Sequence, residues 1–259
     1  MIKNDRDSGR RPYNDSGSFG FEEVPLGEKA RRVRGVFDSV SHKYDLMNDL
    51  MSLGFHRWWK TYAVEILEIE AKQRILDLAA GTADIAHRLV QTGVGGVEVH
   101  CNDINYDMLS KGRDRMLDRG VDNPFQYIQS DGENLPYRSN FFHRAIVSFG
   151  LRNMSRKDSA LGEIFRVLVD NGKLVILDFS TVKPPILRKL HALYTLRVLP
   201  VLGKLVTGDS NSYKYLGESI AVHPDQDALS FMLARAGFDR VEHYNLMGGV
   251  VAVHVGWKK

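Results

Sequence analysis

The chain has little cysteine and no long apolar run. Cys101 is the single cysteine among 259 residues, which excludes an internal disulfide framework and any site of clustered cysteines, and favours a reducing compartment. No stretch approaches the roughly 20 apolar residues of a membrane-spanning helix. Basic residues exceed acidic ones by only three, too few to indicate nucleic-acid binding without a local basic patch. We therefore expect a cytoplasmic protein, either free or peripherally associated with a membrane.

The rest of the composition is ordinary for a globular protein, with 43% hydrophobic and 26% charged residues. The length suits one large domain with appendages. Residues 1–20 are dominated by Gly, Ser, Asn, Asp and Arg and lack the apolar core of a signal peptide, so they are predicted to be a disordered tail. Because no linker or repeat interrupts the remainder, residues 21–259 are predicted to form a single domain.

Strands and helices alternate through the predicted domain. Two helices are predicted first, at 28–42 and 43–67. The strands predicted after them are 74–78, 97–103, 125–129, 144–149 and 173–179, and the helices among these strands are 84–92, 105–119 and 156–169. This alternation predicts βαβ units and a parallel sheet that is covered on both faces.

The last part of the chain departs from this alternation. A helix is predicted at 225–236, and the strands predicted at 239–246 and 250–257 are separated by a short turn with Gly248-Gly249. Two strands joined in this way are typical of an antiparallel hairpin. An α/β fold whose Rossmann-like, seven-stranded sheet ends in such a hairpin is the layout of a class I S-adenosylmethionine-dependent methyltransferase, more than that of a dehydrogenase.

Small and acidic residues follow the predicted parallel strands, where an open α/β sheet leaves its ligand crevice. The loop at 77–84 is either a plain tight turn or a place where backbone approaches a ligand, and it has neither the dinucleotide glycine pattern nor a phosphate-loop lysine. Asp103 can bind ribose hydroxyls or cap a helix. Asp131-Gly132 can border an adenine or form a surface turn, and 148–153 follows the fourth strand. Together these segments favour a nucleoside-bearing cofactor, and S-adenosylmethionine fits.

Four longer segments are more specific than these loops. They are 43–49 with Ser52, His56 and Trp59; 148–153; 213–220 with His223-Pro224; and 244–252. On these segments the chain, from about Val33 onward, resembles the ubiquinone/menaquinone biosynthesis C-methyltransferase family. The resemblance implies S-adenosylmethionine-dependent C-methylation of a polyprenyl quinol ring, either 2-methoxy-6-polyprenyl-1,4-benzoquinol or demethylmenaquinol, in ubiquinone or menaquinone biosynthesis.

The resemblance also implies roles for individual residues. Those matching the family's S-adenosylmethionine positions are Thr82, Asp103, Asp131, Gly132 and Ser148, with Gly81 beside them. The expected catalytic or orienting residues are Tyr44, His56, Arg152 and Asn153, and no metal is expected. Arginine stays protonated, so the natural role of Arg152 is to stabilise a phenolate, whereas His56 is either a proton carrier or a packed histidine. The chain departs from the family at Ala80 and Ala83, where glycine is usual.

An apolar segment at 182–206 carries five basic residues: Lys183, Arg188, Lys189, Arg197 and Lys204. It suits a lid over a polyprenyl tail, contact with anionic headgroups at a membrane surface, or an ordinary covering helix. We expect the helices at 28–67 and a lid-like segment at 182–222 to lie over the substrate site. A homodimer and contacts with other quinone-biosynthesis enzymes stay open, and no nucleic-acid partner is expected.

Two other functions are compatible with the sequence. The first is a catalytically weak, quinone-lipid-binding scaffold subunit of a biosynthetic complex, supported by Ala80 and Ala83; measured cofactor affinity separates it from an enzyme. The second is an RNA methyltransferase, suggested by a pI near 8.9. It lacks a basic stripe with interleaved aromatic residues, and activity on quinols that is insensitive to salt excludes it.

Overall fold

The computed structural model describes residues 16–40, 44–121 and 125–259. These begin with a hairpin of strands β1 (Ser16–Phe19) and β2 (Glu22–Pro25), so the predicted disordered tail is corrected for residues 16–20, while residues 1–15 lie outside the described part. Composition did not predict the hairpin, and one of its packing contacts is distant in sequence. Phe19 stacks on the ring of Tyr215, with ring centroids 4.2 Å apart.

Three helices follow the hairpin: α1 (Leu26–Val40), α2 (Tyr44–Ser52) and α3 (His56–Leu67). The first matches its prediction within two residues, but the single helix predicted at 43–67 is wrong. Leu53 and Gly54 take positive φ values of 50° and 80°, a conformation that ends a right-handed helix. The hydroxyl of Ser52 then accepts a hydrogen bond from the His56 backbone N–H at 3.2 Å.

The apolar runs form one mixed sheet. Its strands are β3 (Arg74–Leu78), β4 (Glu98–Asp103), β5 (Gln126–Gln129), β6 (Phe142–Ser148), β7 (Leu168–Phe179), β8 (Arg240–Leu246) and β9 (Val251–Trp257). Their order is β5-β4-β3-β6-β7-β9-β8, and β9 is antiparallel to both of its neighbours. This confirms the predicted α/β fold with a C-terminal antiparallel hairpin. The strand order reverses between β3 and β6, where an open sheet leaves a crevice at its carboxyl edge.

Both faces of the central strands of the sheet are buried, as their apolar sequences predicted. Alternate residues of β3 show it, because Ile75 belongs to one apolar cluster and Leu76 to the other. No helix among the described residues is long and apolar enough to cross a bilayer. The helices after β3 are α4 (Asp84–Gln91), α5 (Tyr106–Asp118), α6 (Lys157–Val167), α7 (Pro185–Leu193), α8 (Leu199–Thr207), α9 (Ser210–Ala221) and α10 (Gln226–Arg235).

Candidate functional site

A cavity of about 300 Å³ opens at the carboxyl ends of β3, β4, β5 and β6, at the crevice that the strand order leaves. The loops after these strands form one wall. The opposite wall is α1, which presents Ala30, Val33 and Phe37. The structure thus brings six residues predicted from the sequence to one cavity: Gly81, Asp103, Asp131, Gly132, Ser148 and Asn153.

Asp103 lines this cavity, and backbone N–H groups hold its carboxylate in place. Its Oδ2 accepts the Gly81 N–H at 2.8 Å, and its Oδ1 accepts the Asn105 N–H at 2.9 Å. Burial raises the pKa of Asp103, while these backbone N–H donors oppose the shift. The carboxylate still has lone pairs that can accept further hydrogen bonds. The carboxylate is therefore preorganised to accept hydrogen bonds from vicinal hydroxyls.

Two glycines let the loops of the cavity approach each other closely. A Cβ on Gly150 would lie 2.4 Å from the Ala79 Cβ, which is inside contact distance. A Cβ on Gly132 would lie 3.2 Å from the Met154 Cε. Ser148 lies between these loops, and its buried hydroxyl has no hydrogen-bond partner among the described residues. This arrangement leaves narrow space and one polar atom available to a ligand.

A smaller crevice adjoins the main cavity at Ser148 and contains Thr82, Lys60 and Asp84. The Lys60 ammonium lies 2.8 Å from the Asp84 carboxylate. Although burial raises the pKa of Asp84, this ammonium overcomes the effect and holds the pKa at about 2. The Thr82 hydroxyl accepts a hydrogen bond from Arg115 at 3.3 Å. The crevice itself has a volume of only about 10 Å³, so a charged group of a ligand would lie in the adjoining cavity beside this ion pair.

The α1 wall is fixed to the loops near both of its ends. The Lys29 ammonium, on a side chain that is 2% exposed, donates to the Met154 carbonyl at 3.0 Å. Burial lowers the pKa of Lys29 to about 8. Further along α1, Asp38 accepts a hydrogen bond from the Asn105 amide at 2.7 Å. Because both contacts join α1 to loops of the opposite wall, α1 forms a roof over the site.

Arg152 and Asn153 are adjacent in sequence, but their side chains point in different directions. Asn153 lines the cavity, and its Oδ1 accepts a hydrogen bond from the Tyr215 hydroxyl at 3.0 Å. Arg152 is buried behind the loop in an ion pair with Asp178 at 3.0 Å, and its Nη1 also donates to the Phe149 carbonyl. The Arg152 guanidinium therefore fixes the loop that presents Asn153.

The other two predicted catalytic residues are not placed in the cavity wall. The side chain of Tyr44 lies outside the described part of the structure, although its backbone begins α2. His56 is 6% exposed, packs between α2 and α3, and has its Nε2 3.0 Å from an Asp49 carboxylate oxygen. It is not among the residues that line the cavity.

Four residues that contribute to the site were missed in the sequence. The apolar residues Val33 and Phe37, at a spacing of one helical turn, identify a buried face of α1 but not what it covers. Asp178 ends the apolar part of β7, so its position at the carboxyl edge of the sheet was an available signal. Lys60 gave no signal, because its contact with Asp84 depends on how α3 packs.

The loop residue Ala83 offers a test of backbone strain. Its φ of 59° lies in the left-handed region, which costs about 1–2 kcal/mol for a non-glycine residue. Glycine adopts this conformation without strain, so Ala83→Gly removes that cost. The gain offsets the loss of the methyl contact and the larger entropy of the unfolded chain, so we expect the free energy of unfolding to stay within about 1 kcal/mol of wild type. Ala86→Gly, at a buried right-handed position in α4, is the control and should lose about 2 kcal/mol. Equal losses in denaturant titrations would refute the strain.

His56 is expected to contribute to stability and not to catalysis. Burial lowers its pKa below the ordinary value of 6.5, and nearby Lys60 lowers it further. The unfolded chain therefore binds this proton more readily, so wild type loses stability as the pH falls through 6.5 towards the folded-state pKa. His56→Ala should cost about 1–3 kcal/mol at neutral pH and flatten that dependence. Thermal unfolding across pH measures both effects, and an altered pH–rate profile at unchanged stability would contradict them.

The sequence is similar to those of known proteins over most of its length. The profile of the ubiE/COQ5 methyltransferase family matches residues 26–258. A ubiquinone/menaquinone biosynthesis C-methyltransferase UbiE from Methylococcus capsulatus is 48% identical, with 93% of this chain and 97% of that protein covered. Proteins of the same name from Coxiella burnetii and Pseudomonas paraeruginosa are 48% and 45% identical, again over 93% of this chain, with 96% and 94% of those proteins covered.

Solved structures share the fold at low sequence identity. A methyltransferase from Thermotoga maritima, described as S-adenosylmethionine-dependent, aligns with a TM-score of 0.61 at 16% identity, covering 87% of this chain and 99% of that one. A Haemonchus contortus N-methyltransferase, solved with S-adenosylhomocysteine, aligns with a TM-score of 0.58 at 13% identity, covering 77% of this chain and 52% of that one. At this identity the alignments establish the architecture alone.

Proposed function

The chain belongs to the ubiE/COQ5 methyltransferase family, and on that basis we propose that it transfers a methyl group from S-adenosylmethionine to a ring carbon of a polyprenyl quinol. The ring is that of 2-methoxy-6-polyprenyl-1,4-benzoquinol, demethylmenaquinol or both. The observation that carries the proposal is the single cavity that unites Asp103, Gly132, Ser148 and Asn153. Relatives of 45–48% identity carry the name of this activity.

The residues present fit the cofactor. Asp103, fixed by two backbone N–H groups, would accept hydrogen bonds from the ribose hydroxyls, and Gly132 leaves room for the adenine. The charged amino acid end would lie at the edge of the cavity, beside the Lys60–Asp84 ion pair and the Ser148 hydroxyl, which has no partner among the described residues. When bound, the cofactor supplies an electrophilic methyl group on a sulfonium. The protein's task is then to orient the ring, hold its charge and exclude water.

Asn153 is well placed to bind the quinol oxygen. Burial raises the pKa of Tyr215 to about 12, so its hydroxyl stays protonated and donates to the Asn153 Oδ1. The amide nitrogen of Asn153 is thereby left as a donor towards the cavity. A donor at this position stabilises a ring oxygen as its proton leaves and the neighbouring carbon becomes nucleophilic.

Arg152 supports this arrangement from behind. Its guanidinium is occupied by Asp178 and the Phe149 carbonyl, so we assign it the positioning of the Asn153 loop. The apolar residues Val33 and Phe37 of the α1 roof would cover the ring and exclude water from it.

The proposal is tested by expressing the chain in a bacterium deleted for its own quinone C-methyltransferase and profiling the quinones. We expect the methylated quinones to return with the wild-type chain and with Asn211→Ala, an exposed control on α9. Asn153→Ala should leave the demethylated precursors to accumulate. Persistence of the precursors with a folded wild-type chain that binds S-adenosylmethionine would refute the proposal.

The scaffold alternative is not favoured. It depended on Ala80 and Ala83, but the loop that contains them still places the Gly81 N–H against Asp103 at 2.8 Å. Ala83 adopts the left-handed conformation that glycine would take, so the methyl group is accommodated within the loop. The relatives are named as methyltransferases, and the alignments with this chain cover nearly their whole length.

A further inference from the structure

The helical segment 185–207, made of α7, a π-helical turn (Tyr194–Val198) and α8, leaves much apolar surface uncovered. No side chain of α7 is buried. Ile186 is 78% exposed and Leu205 is 77% exposed. The other large apolar residues exposed on the segment are Leu187, Leu190, Leu193, Leu196, Val198, Val201 and Val206. We name these apolar residues, together with Arg188, Lys189, Arg197 and Lys204 of the same segment, the basic apolar surface.

The side of the segment that faces the protein packs directly against α9. The exposed apolar residues therefore do not belong to a loosely placed helix. A Cβ on Gly203 would lie 2.3 Å from the Tyr213 ring of α9, and a Cβ on Gly217 would lie 2.3 Å from the Thr195 carbonyl. Both glycines therefore allow direct contact between α9 and the segment. Arg188 also ties the start of α7 to the Val182 carbonyl at 2.7 Å. The opposite side must face whatever surrounds the protein.

The charge on this surface has one sign. No aspartate or glutamate occurs from residue 179 to residue 208. The side chains of Lys189, Arg197 and Lys204 are exposed and form no ion pair or hydrogen bond within the described residues. Arg188 is exposed as well, and Lys183 approaches Asp227 only at 3.9 Å.

These observations favour one kind of partner. Lysine and arginine with long apolar stems, interleaved with leucine and isoleucine, match the boundary between acyl chains and anionic headgroups. The cores of protein interfaces are instead depleted in lysine. A two-fold contact between copies through this surface would bring equal positive charges together, because such a contact is self-complementary.

We propose that the basic apolar surface docks the protein on an anionic lipid bilayer. Ile186, Leu190 and Leu205 enter the acyl boundary, while Lys189, Arg197 and Lys204 contact the headgroups. That docking delivers a polyprenyl quinol to the cavity rests on the proposed function, but the docking itself does not. Methyl transfer to a short-tailed, soluble quinol is independent of this surface.

The experiment measures sedimentation of the full chain with vesicles. One set is phosphatidylcholine alone, and the other has one third of it replaced by phosphatidylglycerol. We expect binding to the anionic set, weakened by salt. Replacing Lys189, Arg197 and Lys204 by glutamate should weaken it by about 100-fold or more, since each basic residue contributes about fivefold. A triple glutamate variant at Arg119, Arg235 and Lys259, exposed elsewhere, is the charge-matched control and should bind nearly normally.

Apolar insertion is tested separately with Ile186→Ser and Leu205→Ser together, which should weaken vesicle binding about tenfold without lowering the melting temperature. Absence of binding to anionic vesicles, or equal losses in both triple variants, would overturn the proposal. A change of oligomeric state in the serine variant would overturn it as well, since it would assign the surface to contact between copies. If vesicle binding fails while soluble quinol is still methylated, the docking idea falls and the proposed function stands.

Discussion

Asp103→Ala is expected to weaken S-adenosylmethionine binding by about tenfold to more than a hundredfold. The substitution removes a charge-assisted acceptor for the ribose hydroxyls, which is worth about 1.5–3 kcal/mol. It also leaves the Gly81 and Asn105 N–H groups without the carboxylate that accepts their hydrogen bonds, so the glycine loop loses its anchor. Calorimetric titration measures the dissociation constant.

The control for this prediction is Asp107→Ala. Asp107 lies in the first turn of α5, close in sequence, but it is exposed and does not line the cavity. Its removal should leave the dissociation constant unchanged. If Asp103→Ala binds the cofactor as tightly as the control does, Asp103 serves only to fix the loop and the start of α5, and its assignment as the ribose acceptor is wrong.

Arg152→Ala is expected to destabilise the fold by about 3–5 kcal/mol and to lower turnover more than cofactor affinity. The Arg152 and Asp178 side chains are 3% and 2% exposed, and removing one partner of so buried a pair leaves an uncompensated charge. Turnover falls because the loop that presents Asn153 loses its support when charge develops on the ring oxygen. Denaturant unfolding, calorimetry and steady-state kinetics give the three quantities.

The double variant Arg152→Ala with Asp178→Ala separates the two effects. Because it leaves no unpaired charge, its stability should exceed the value expected from adding the two single losses by about 1–3 kcal/mol. Turnover should not recover, since neither residue then positions the loop. Near-normal turnover in Arg152→Ala would remove this residue from the mechanism.

The sheet could be predicted from the sequence because each strand carries its own signal. The run 74–78 is apolar, short and followed by a small-residue loop, and β3 occupies those five residues. Since the carboxyl ends of parallel strands share one edge, the convergence of Asp103, Gly132 and the segment 148–153 followed from the same reasoning, whereas the choice of Ser148 came from the family resemblance. These features are local in sequence, or follow from topology alone.

The features that the sequence did not predict depend on contacts between distant segments. Phe19 and Tyr215, which stack on each other, are separated by most of the chain. The hairpin that contains Phe19 has no apolar periodicity from which its strands could be predicted. Arg152 was expected at the ring, yet its partner Asp178 is 26 residues away in sequence and draws the guanidinium behind the loop. Such contacts depend on the whole fold, so they cannot be predicted from secondary-structure propensity or from the spacing of residues along the chain.

The most direct test of the proposed activity follows the methyl group itself. The purified chain is incubated with S-adenosylmethionine that carries a deuterated methyl group and, in separate reactions, with short-tailed forms of the two candidate quinols. We predict a product in which one trideuteromethyl group replaces a hydrogen on a ring carbon, and we expect Asn153→Ala to slow its formation. A label on a ring oxygen, or no transfer by a chain that binds the cofactor, would contradict it.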